Sequence, residues 1–521
     1  MAYRILTRNE HFSSKGPKRI LALDGGGLRG ILSLGILKHL EATLRARHGG
    51  DREFRLCHYF DLIAGTSTGA IIAAALAAGM SVDEVIAHYQ QLGREVFTRD
   101  WLRFGVVRAR YDEASLIANL KRVFGEKRTL GDDSLKTGLL VVTKRLDTGS
   151  PWPLGNNPAG KYFRAGKDDS WISNGDYPLW QVVRASTAAP SYFDPESITI
   201  AAAAGKVPQT GTFVDGGVSP FNNPSLQAFM YATLCGYRVN WTPRADRLLI
   251  VSVGTGIGDL SQAPSRIAAA GAIRALFSLM DDCATLVETV MQWMSKSATA
   301  REIDADLGDC SDDLMGQSPL LSYLRYNASL LPKDVEALLP GLPAKQVGTL
   351  AEMDNPDNLD ALLRLGEAAG AARVKDDHFA PIFDLPRTRD AASGRVKYVK
   401  RPDQAVVAVQ VSLQSSGFTY EKWGATQRCK PGDWLVDNDG DVYTVDQSTF
   451  ARTYQKVGDG KYVKTTPVWA EAAGAAGQAR TQEGLTNYKA GDYLVFNQED
   501  GGDHYAIEKA KFESMYEPVG C

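Results

Sequence analysis

Three glycine-flanked polar residues carry the chemistry this sequence can be read for. The first is Ser67, inside Gly65-Thr66-Ser67-Thr68-Gly69. A serine that attacks a carbonyl must stand clear of the backbone at a sharp strand-to-helix turn, and glycines two positions either side remove side chains that would clash there. The second is the run Asp24-Gly25-Gly26-Gly27-Leu28-Arg29-Gly30, whose consecutive glycines let main-chain N–H groups converge on an anion. Such a loop serves as an oxyanion hole or as a phosphate cradle. The third is Phe213-Val214-Asp215-Gly216-Gly217, an apolar strand end that delivers a carboxylate into a glycine turn. An Asp-Gly pair alone is a common turn signal, so Asp215 gains meaning only if the fold brings it beside Ser67.

None of the seven histidines lies in a motif. The order Ser67, Asp215, His378 matches that of the α/β-hydrolase triad, which keeps a three-residue site open. His378 sits in the polar stretch Asp376-Asp377-His378-Phe379, where an exposed or structural role is the simpler reading. The glycine loop also satisfies G-x-G-x-x-G, the dinucleotide fingerprint. That site needs an acidic residue at the end of the second strand, and here the second strand ends in Ala64-Gly65-Thr66. No metal-ligand spacing is visible among the six scattered cysteines, so neither metal nor cofactor is expected.

The elements that must position these residues are legible around them. Arg19 to Leu23 reads as a buried strand ending at Asp24, and Ile31 to Arg47 as an amphipathic helix. Tyr59 to Ala64 reads as a second strand and Ala70 to Ala78 as a buried helix. Ser81-Val82-Asp83-Glu84 is a capping box that opens a helix to about Leu92. Leu139 to Thr143 and Leu248 to Val253 are further interior strands. Strands alternating with helices predict an α/β layer fold with a mainly parallel sheet. From Ser265 to Leu365 the pattern is mostly helical, broken at Asp304 to Gly316.

The chain has 521 residues, 44 % apolar and 23 % charged, with a formal net charge of −3. Its length points to two or more domains, and its charge gives no overall field for nucleic acid or anionic lipid. Leu62 to Met80 is uncharged and nearly long enough to span a bilayer, but the serine motif within it favours a buried strand–turn–helix. The N-terminus has no apolar core or cleavage site, and scattered thiols fit a reducing compartment, so a cytoplasmic location is expected.

Beyond the proline-containing exit at Pro381 to Thr388 the tail repeats itself. Lys430 to Asn438 (KPGDWLVDN) matches Lys489 to Asn497 (KAGDYLVFN), and Thr444 to Val457 aligns with Ala506 to Val519. Phe450 and Tyr454 fall opposite Phe512 and Tyr516, four residues apart and hence on one helical face. Each copy reads as a Gly-Asp turn, strand, turn, strand and short helix. Trp434 and Tyr493 after the turns fit either a surface for a protein or ligand partner or the cores of small domains.

As a set, DGGGLRG, GTSTG, RASTAAPSYF (Arg184 to Phe193) and VDGGVSPFNNP (Val214 to Pro224) resemble the patatin-like phospholipase family. MQWMS (Met291 to Ser295) and SYLRYN (Ser322 to Asn327) also look like its segments, so the resemblance covers Lys18 to Leu385. It implies a three-layer α/β/α fold and an acyl-lipid hydrolase acting through a serine–aspartate dyad, Ser67 and Asp215, without histidine. Gly25, Gly26 and Gly27 then supply oxyanion amides, with Arg29, Gly65, Gly69, Gly216 and Gly217 in support. Its substrates are phospholipids or other acyl lipids, with peripheral membrane contact; the helical stretch Ala268 to Met294, bearing Phe277, Met280, Met291 and Trp293, is either membrane-facing or core. The tail copies resemble a small bacterial module marked by a P-G-D-[WY] turn, from which the second departs with Ala490 in place of proline. The expected divisions are an N-terminal extension (1–17), a catalytic domain (18–387), a linker (388–397) and two modules (398–460 and 461–521). Alternatives are a triad esterase of small soluble esters and a sensing protein whose lipase the tail controls.

Overall fold

The computed structural model describes residues 3–97, 111, 113–164, 171–190, 192–202, 207–258, 268–386, 396–401, 404–412, 414–422, 425–438, 440–474, 476–481, 484–498 and 501–518. The chain divides into two compact units, Met1–Arg387 and Thr388–Cys521.

The first unit is built on a nine-stranded sheet. Its strands are β1 (Lys18–Leu23), β2 (Leu62–Thr66), β3 (Gly138–Arg145), β4 (Pro151–Gly155), β5 (Glu196–Ala201), β6 (Gln209–Asp215), β7 (Leu248–Val253), β8 (Ser295–Lys296) and β9 (Leu321–Tyr326). They lie in the order β5-β6-β3-β2-β1-β7-β9-β8, with β4 also paired to β3. The β3–β2–β1–β7–β9–β8 run is parallel, whereas β4, β5 and β6 join antiparallel. Side chains alternate between faces along a strand. Leu21, Leu23, Ile63, Val141, Leu249 and Val251 therefore join the core under helices Gly30–Arg47 and Thr68–Ala77. Ile20, Ala22, Leu62, Ala64, Leu140 and Ile250 join a second core with Val287 and Met291 of helix Ala268–Trp293. Two apolar faces on each central strand give the three-layer α/β/α architecture.

Leu62 to Met80 is β2, the serine turn and helix Thr68–Ala77. Among the described residues no helix is long and apolar enough to cross a membrane. The stretch read as mostly helical, Ser265 to Leu365, also contains β8 and β9. Leu-Ser-Tyr-Leu-Arg-Tyr has no β-branched residue to mark a strand, yet β9 is almost wholly buried beside β7. Residues ahead of β1 pack onto this unit: helix Arg8–Ser13, capped by Thr7 and Glu10, sends His11 to Asp61 (2.9 Å).

In the second unit the strands are β10 (Val396–Lys400), β11 (Val406–Gln410), the hairpin β12 (Phe418–Lys422) and β13 (Ala425–Cys429), β14 (Trp434–Asn438), β15 (Asp441–Val445), β16 (Tyr454–Gly458) and β17 (Lys461–Lys464). They continue as β18 (Val468–Ala472), the hairpin β19 (Gly477–Thr481) and β20 (Gly484–Tyr488), β21 (Tyr493–Gln498), β22 (Gly501–Ile507) and β23 (Tyr516–Pro518). Two five-stranded sheets result, β15-β14-β11-β17-β16 and β22-β21-β18-β10-β23. Laid side by side, β10 holds in the second sheet the place of β17 in the first, and both carry Lys-Tyr-Val-Lys. The second sheet is thus closed by the first strand of the unit. Val396 and Lys397, read from sequence as linker, pair with Ala470 and Trp469 of β18; residues 388–395 lie outside the described set. Trp434 stacks on Phe450 at 4.1 Å between ring centres, and Tyr493 on Phe512 at 4.2 Å. Both rings after the Gly-Asp turns pack against the apolar clusters of their sheets. Tyr454 follows helix Gln447–Thr453 as the first residue of β16, its ring 4.5 Å from that of Phe450.

Candidate active site

The sheet register brings Ser67 and Asp215 together. Thr66, the last residue of β2, lies opposite Val142 of β3, and Asp215, the last residue of β6, lies opposite Thr143. Since β6 overlaps only Thr143 to Arg145, it ends level with the serine turn. Ser67 Oγ donates to Asp215 Oδ2 at 2.5 Å across 148 positions of sequence.

Ser67 has φ 53° and ψ −124°, a left-handed backbone that a non-glycine residue enters only at a cost. The turn around it admits only glycine at both flanks. A Cβ on Gly65 would run into the main chain of Gly69, and one on Gly69 into the carbonyls of Leu23 and Asp24. The Ser67 N–H is held by Ser186 Oγ (2.9 Å), which in turn donates to Val142 O (2.6 Å). Helix Thr68–Ala77 starts immediately after and turns its positive end toward the same space.

Asp215 Oδ1 accepts the Gly217 N–H at 2.7 Å, and its own N–H donates to Ala188 O at 3.0 Å. A Cβ on Gly216 would strike Val142 O. Burial raises the Asp215 carboxyl to about 6, against the opposing pull of the Ser67 hydroxyl, the Gly217 N–H and the Arg184 charge. A carboxylate in that range is a competent base near neutral pH.

The glycine loop overhangs the pair. The Gly25 N–H donates to Asn222 O (3.1 Å), while among the described residues the N–H groups of Gly26 and Gly27 have no partner. Of the three glycine N–H groups named from sequence, that of Gly25 is thus engaged within the protein. Gly27 adopts φ +57°, its carbonyl accepting from Tyr89 Oη at 2.6 Å. Arg29 is buried and lines a separate polar cavity of about 510 Å³ with Asp281 and Glu288. Its main-chain N–H donates to Gly26 O (3.2 Å) within the turn.

Ser67, Asp215, Gly26 and Gly27 share a cavity of about 810 Å³ whose walls include Ile71, Leu92, Phe97, Leu116, Phe193 and Met280. No histidine is among its described lining. His378 instead meets Tyr326 Oη at 2.9 Å. No group of three or more His, Cys, Asp or Glu stands together to hold a metal among the described residues. Ser186, inside RASTAAPSYF, and Tyr89 and Thr255, outside every motif, are revealed only by their contacts.

Residues 21–229 match the family model described as patatin-like phospholipase. The chain is 27 % identical over 304 residues to a cGAMP-activated phospholipase of Vibrio cholerae, covering 56 % of this chain and 79 % of that one. It is 31 % identical over 277 residues to a probable inactive patatin-like protein 9 of Arabidopsis thaliana, covering 49 % and 65 %. It thus spans about two thirds of the length of that plant relative. Among solved structures, human group IVD cytosolic phospholipase A2 aligns with a TM-score of 0.33 at 13 % identity, over 68 % of this chain and 58 % of that one.

Proposed function

We propose that this protein hydrolyses fatty-acyl esters of lipids through Ser67 and Asp215. The observation that carries the proposal is the direct 2.5 Å bond from Ser67 Oγ to a buried carboxylate of raised pKa, both lining an apolar cavity. Asp215 takes the Ser67 proton as Oγ attacks the acyl carbonyl. The N–H groups of Gly26 and Gly27 receive the negative charge that develops on the carbonyl oxygen. Asp215 returns the proton to the departing alcohol, leaving an acyl-serine, then draws a proton from water to release the fatty acid. No histidine is needed for these steps, and the apolar walls take the acyl chain.

Phospholipid is the proposed substrate, which supports contact with a lipid surface. Helix Ala268–Trp293 turns Leu276 and Met280 into the cavity and exposes Leu279 (57 %), Leu286 (60 %) and Trp293 (41 %) at intervals of seven residues. Met291 is buried, and the Phe277 side chain lies outside the described residues. Replacing the three exposed residues by serine should lower binding to phosphatidylcholine vesicles while sparing hydrolysis of a soluble ester.

The test of function is release of fatty acid from phospholipid vesicles and p-nitrophenyl acyl esters by the wild type, Ser67→Ala, Asp215→Ala and His378→Ala. Because one relative is named for activation by cGAMP, each assay is run with and without it. Loss of activity in the first two variants and retention in the third is expected; loss in His378→Ala with acetyl esters preferred would favour the triad reading.

A further inference from the structure

We infer that Thr255 is a positioning residue that aims the Gly26 N–H into the catalytic cavity. This rests on the Ser67 reading and extends it to a residue beyond the segment 21–229 that matches the family model.

Thr255 lies just past β7 and is 4 % exposed. Its Oγ1 donates to the Gly25 carbonyl at 2.9 Å. No peptide bond in the described chain is cis, so the Gly25–Gly26 unit is trans and its C=O and N–H point in opposite directions. Thr255 lines the polar cavity behind the loop, whereas Gly26 lines the catalytic one. Holding the carbonyl back toward Thr255 therefore turns the next N–H forward, toward the space above Ser67. The threonine also closes the rear of the loop: a Cβ on Gly26 would come within 3.0 Å of its Oγ1, Cβ and Cγ2. Its own position is fixed on both sides. The Gly254 N–H donates to Tyr326 O (2.9 Å), the Gly256 N–H to Asn327 Oδ1 (2.8 Å), and Ser33 Oγ to Gly254 O (2.7 Å).

Without the hydroxyl the Gly25 carbonyl keeps only the long contact from Asn222 Nδ2 (3.5 Å), and the peptide unit is no longer held firmly in the orientation that serves the oxyanion. The effect belongs to the transition state, because a ground-state ester makes weaker use of that N–H. Loss of a whole oxyanion donor costs on the order of 10²–10³ in rate, which bounds the effect from above.

The experiment uses the full-length protein with Thr255→Val, Thr255→Ala and Thr255→Ser beside Ser67→Ala. It reads kcat and KM on a soluble p-nitrophenyl ester, and inhibition by a long-chain trifluoromethyl ketone, which forms a tetrahedral adduct with a serine. Thr255→Val should lower kcat by about 10- to 100-fold with KM within about twofold, and weaken the ketone by the same factor. Thr255→Ser should stay within about threefold of wild type on both readouts. Should the valine variant fail to fold, the contrast of alanine with serine decides in the same way. Wild-type kcat and ketone affinity without the hydroxyl, or equal losses in the serine variant, would overturn the inference. Full activity in Ser67→Ala would instead sink the underlying reading of function, whatever the Thr255 variants do.

Discussion

Arg325 grips Asp24 through two parallel bonds, Nη1 to Oδ1 at 2.9 Å and Nη2 to Oδ2 at 2.6 Å, across 301 positions of sequence. The aspartate opens the glycine loop, and the arginine, on β9, also donates to Ser252 Oγ at 2.7 Å. Both side chains are buried. Removing one partner of a buried pair leaves the other charge uncompensated, at a cost of about 3–5 kcal/mol. Arg325→Met should therefore lose about that much stability in urea unfolding, and adding Asp24→Asn should restore part of it. A double variant less stable than Arg325→Met alone would contradict this account of the pair.

Asp215 has a second consequence, in stability. Its carboxyl sits at about 6 in the folded protein against an ordinary 3.8, so the folded state binds the extra proton between those values. Ionisation therefore opposes folding: stability is highest below the unfolded pKa and falls as pH rises through about 6. A shift of that size corresponds to roughly 3 kcal/mol. Asp215→Asn should be inactive yet more stable than wild type at pH 8, with the difference vanishing near pH 4 in denaturant titrations. In the wild type kcat should fall below about pH 6, as the base becomes protonated. An Asp215→Asn variant less stable than wild type at pH 8 would speak against a desolvated carboxylate.

The N-terminal segment should respond to acid. His58 Nδ1 accepts from Arg55 N (3.2 Å) and meets Tyr3 Oη (2.9 Å), and burial lowers its pKa to about 4. The unfolded state thus binds a proton that the folded state refuses. Stability is complete above the unfolded value near 6.5 and is lost as pH falls toward 4. Wild type should lose of the order of 2 kcal/mol from this group over that interval. His58→Phe should flatten the pH dependence, measured by urea unfolding from pH 7 to 4.5; an unchanged slope would assign the acid sensitivity elsewhere.

The second tail sheet takes its Lys-Tyr-Val-Lys strand, β10, from ahead of the first sheet, whereas β17 pairs with strands before it in its own sheet. The Tyr398 ring lies 4.8 Å from Phe512 against the second sheet, and Tyr462 lies 5.0 Å from Phe450 against the first. Tyr398→Ala should therefore raise amide hydrogen exchange in β18, β21 and β23 while sparing β11 and β14, although Tyr398 is nearer to β11 in sequence. Tyr462→Ala should do the reverse. Loosening of the nearest strands in sequence would contradict the observed closure.

Much of the catalytic unit is legible in its sequence because local chemistry and tertiary role coincide there. Gly65 is dictated by a contact within a few residues, the clash of its Cβ with Gly69, whereas Gly69 is required by the distant carbonyls of Leu23 and Asp24. The buried runs of β1 and β7 announce strands with two covered faces. What escapes a linear reading is set by partners far away. Strand β9 is defined by its place beside β7, Thr255 by the Gly25 carbonyl it holds, and β10 by a sheet whose other strands begin some seventy residues later. Nothing near Gly25 in sequence foretells Asn222 O as the acceptor of its N–H.

The central claim is that Asp215 activates Ser67, and covalent labelling tests it most directly. A fluorophosphonate probe applied at pH 8, followed by peptide mass spectrometry, should modify Ser67 in the wild type and leave it almost unlabelled in Asp215→Asn. Labelling of Ser67 at an undiminished rate in that variant, or of another serine in place of Ser67, would contradict it.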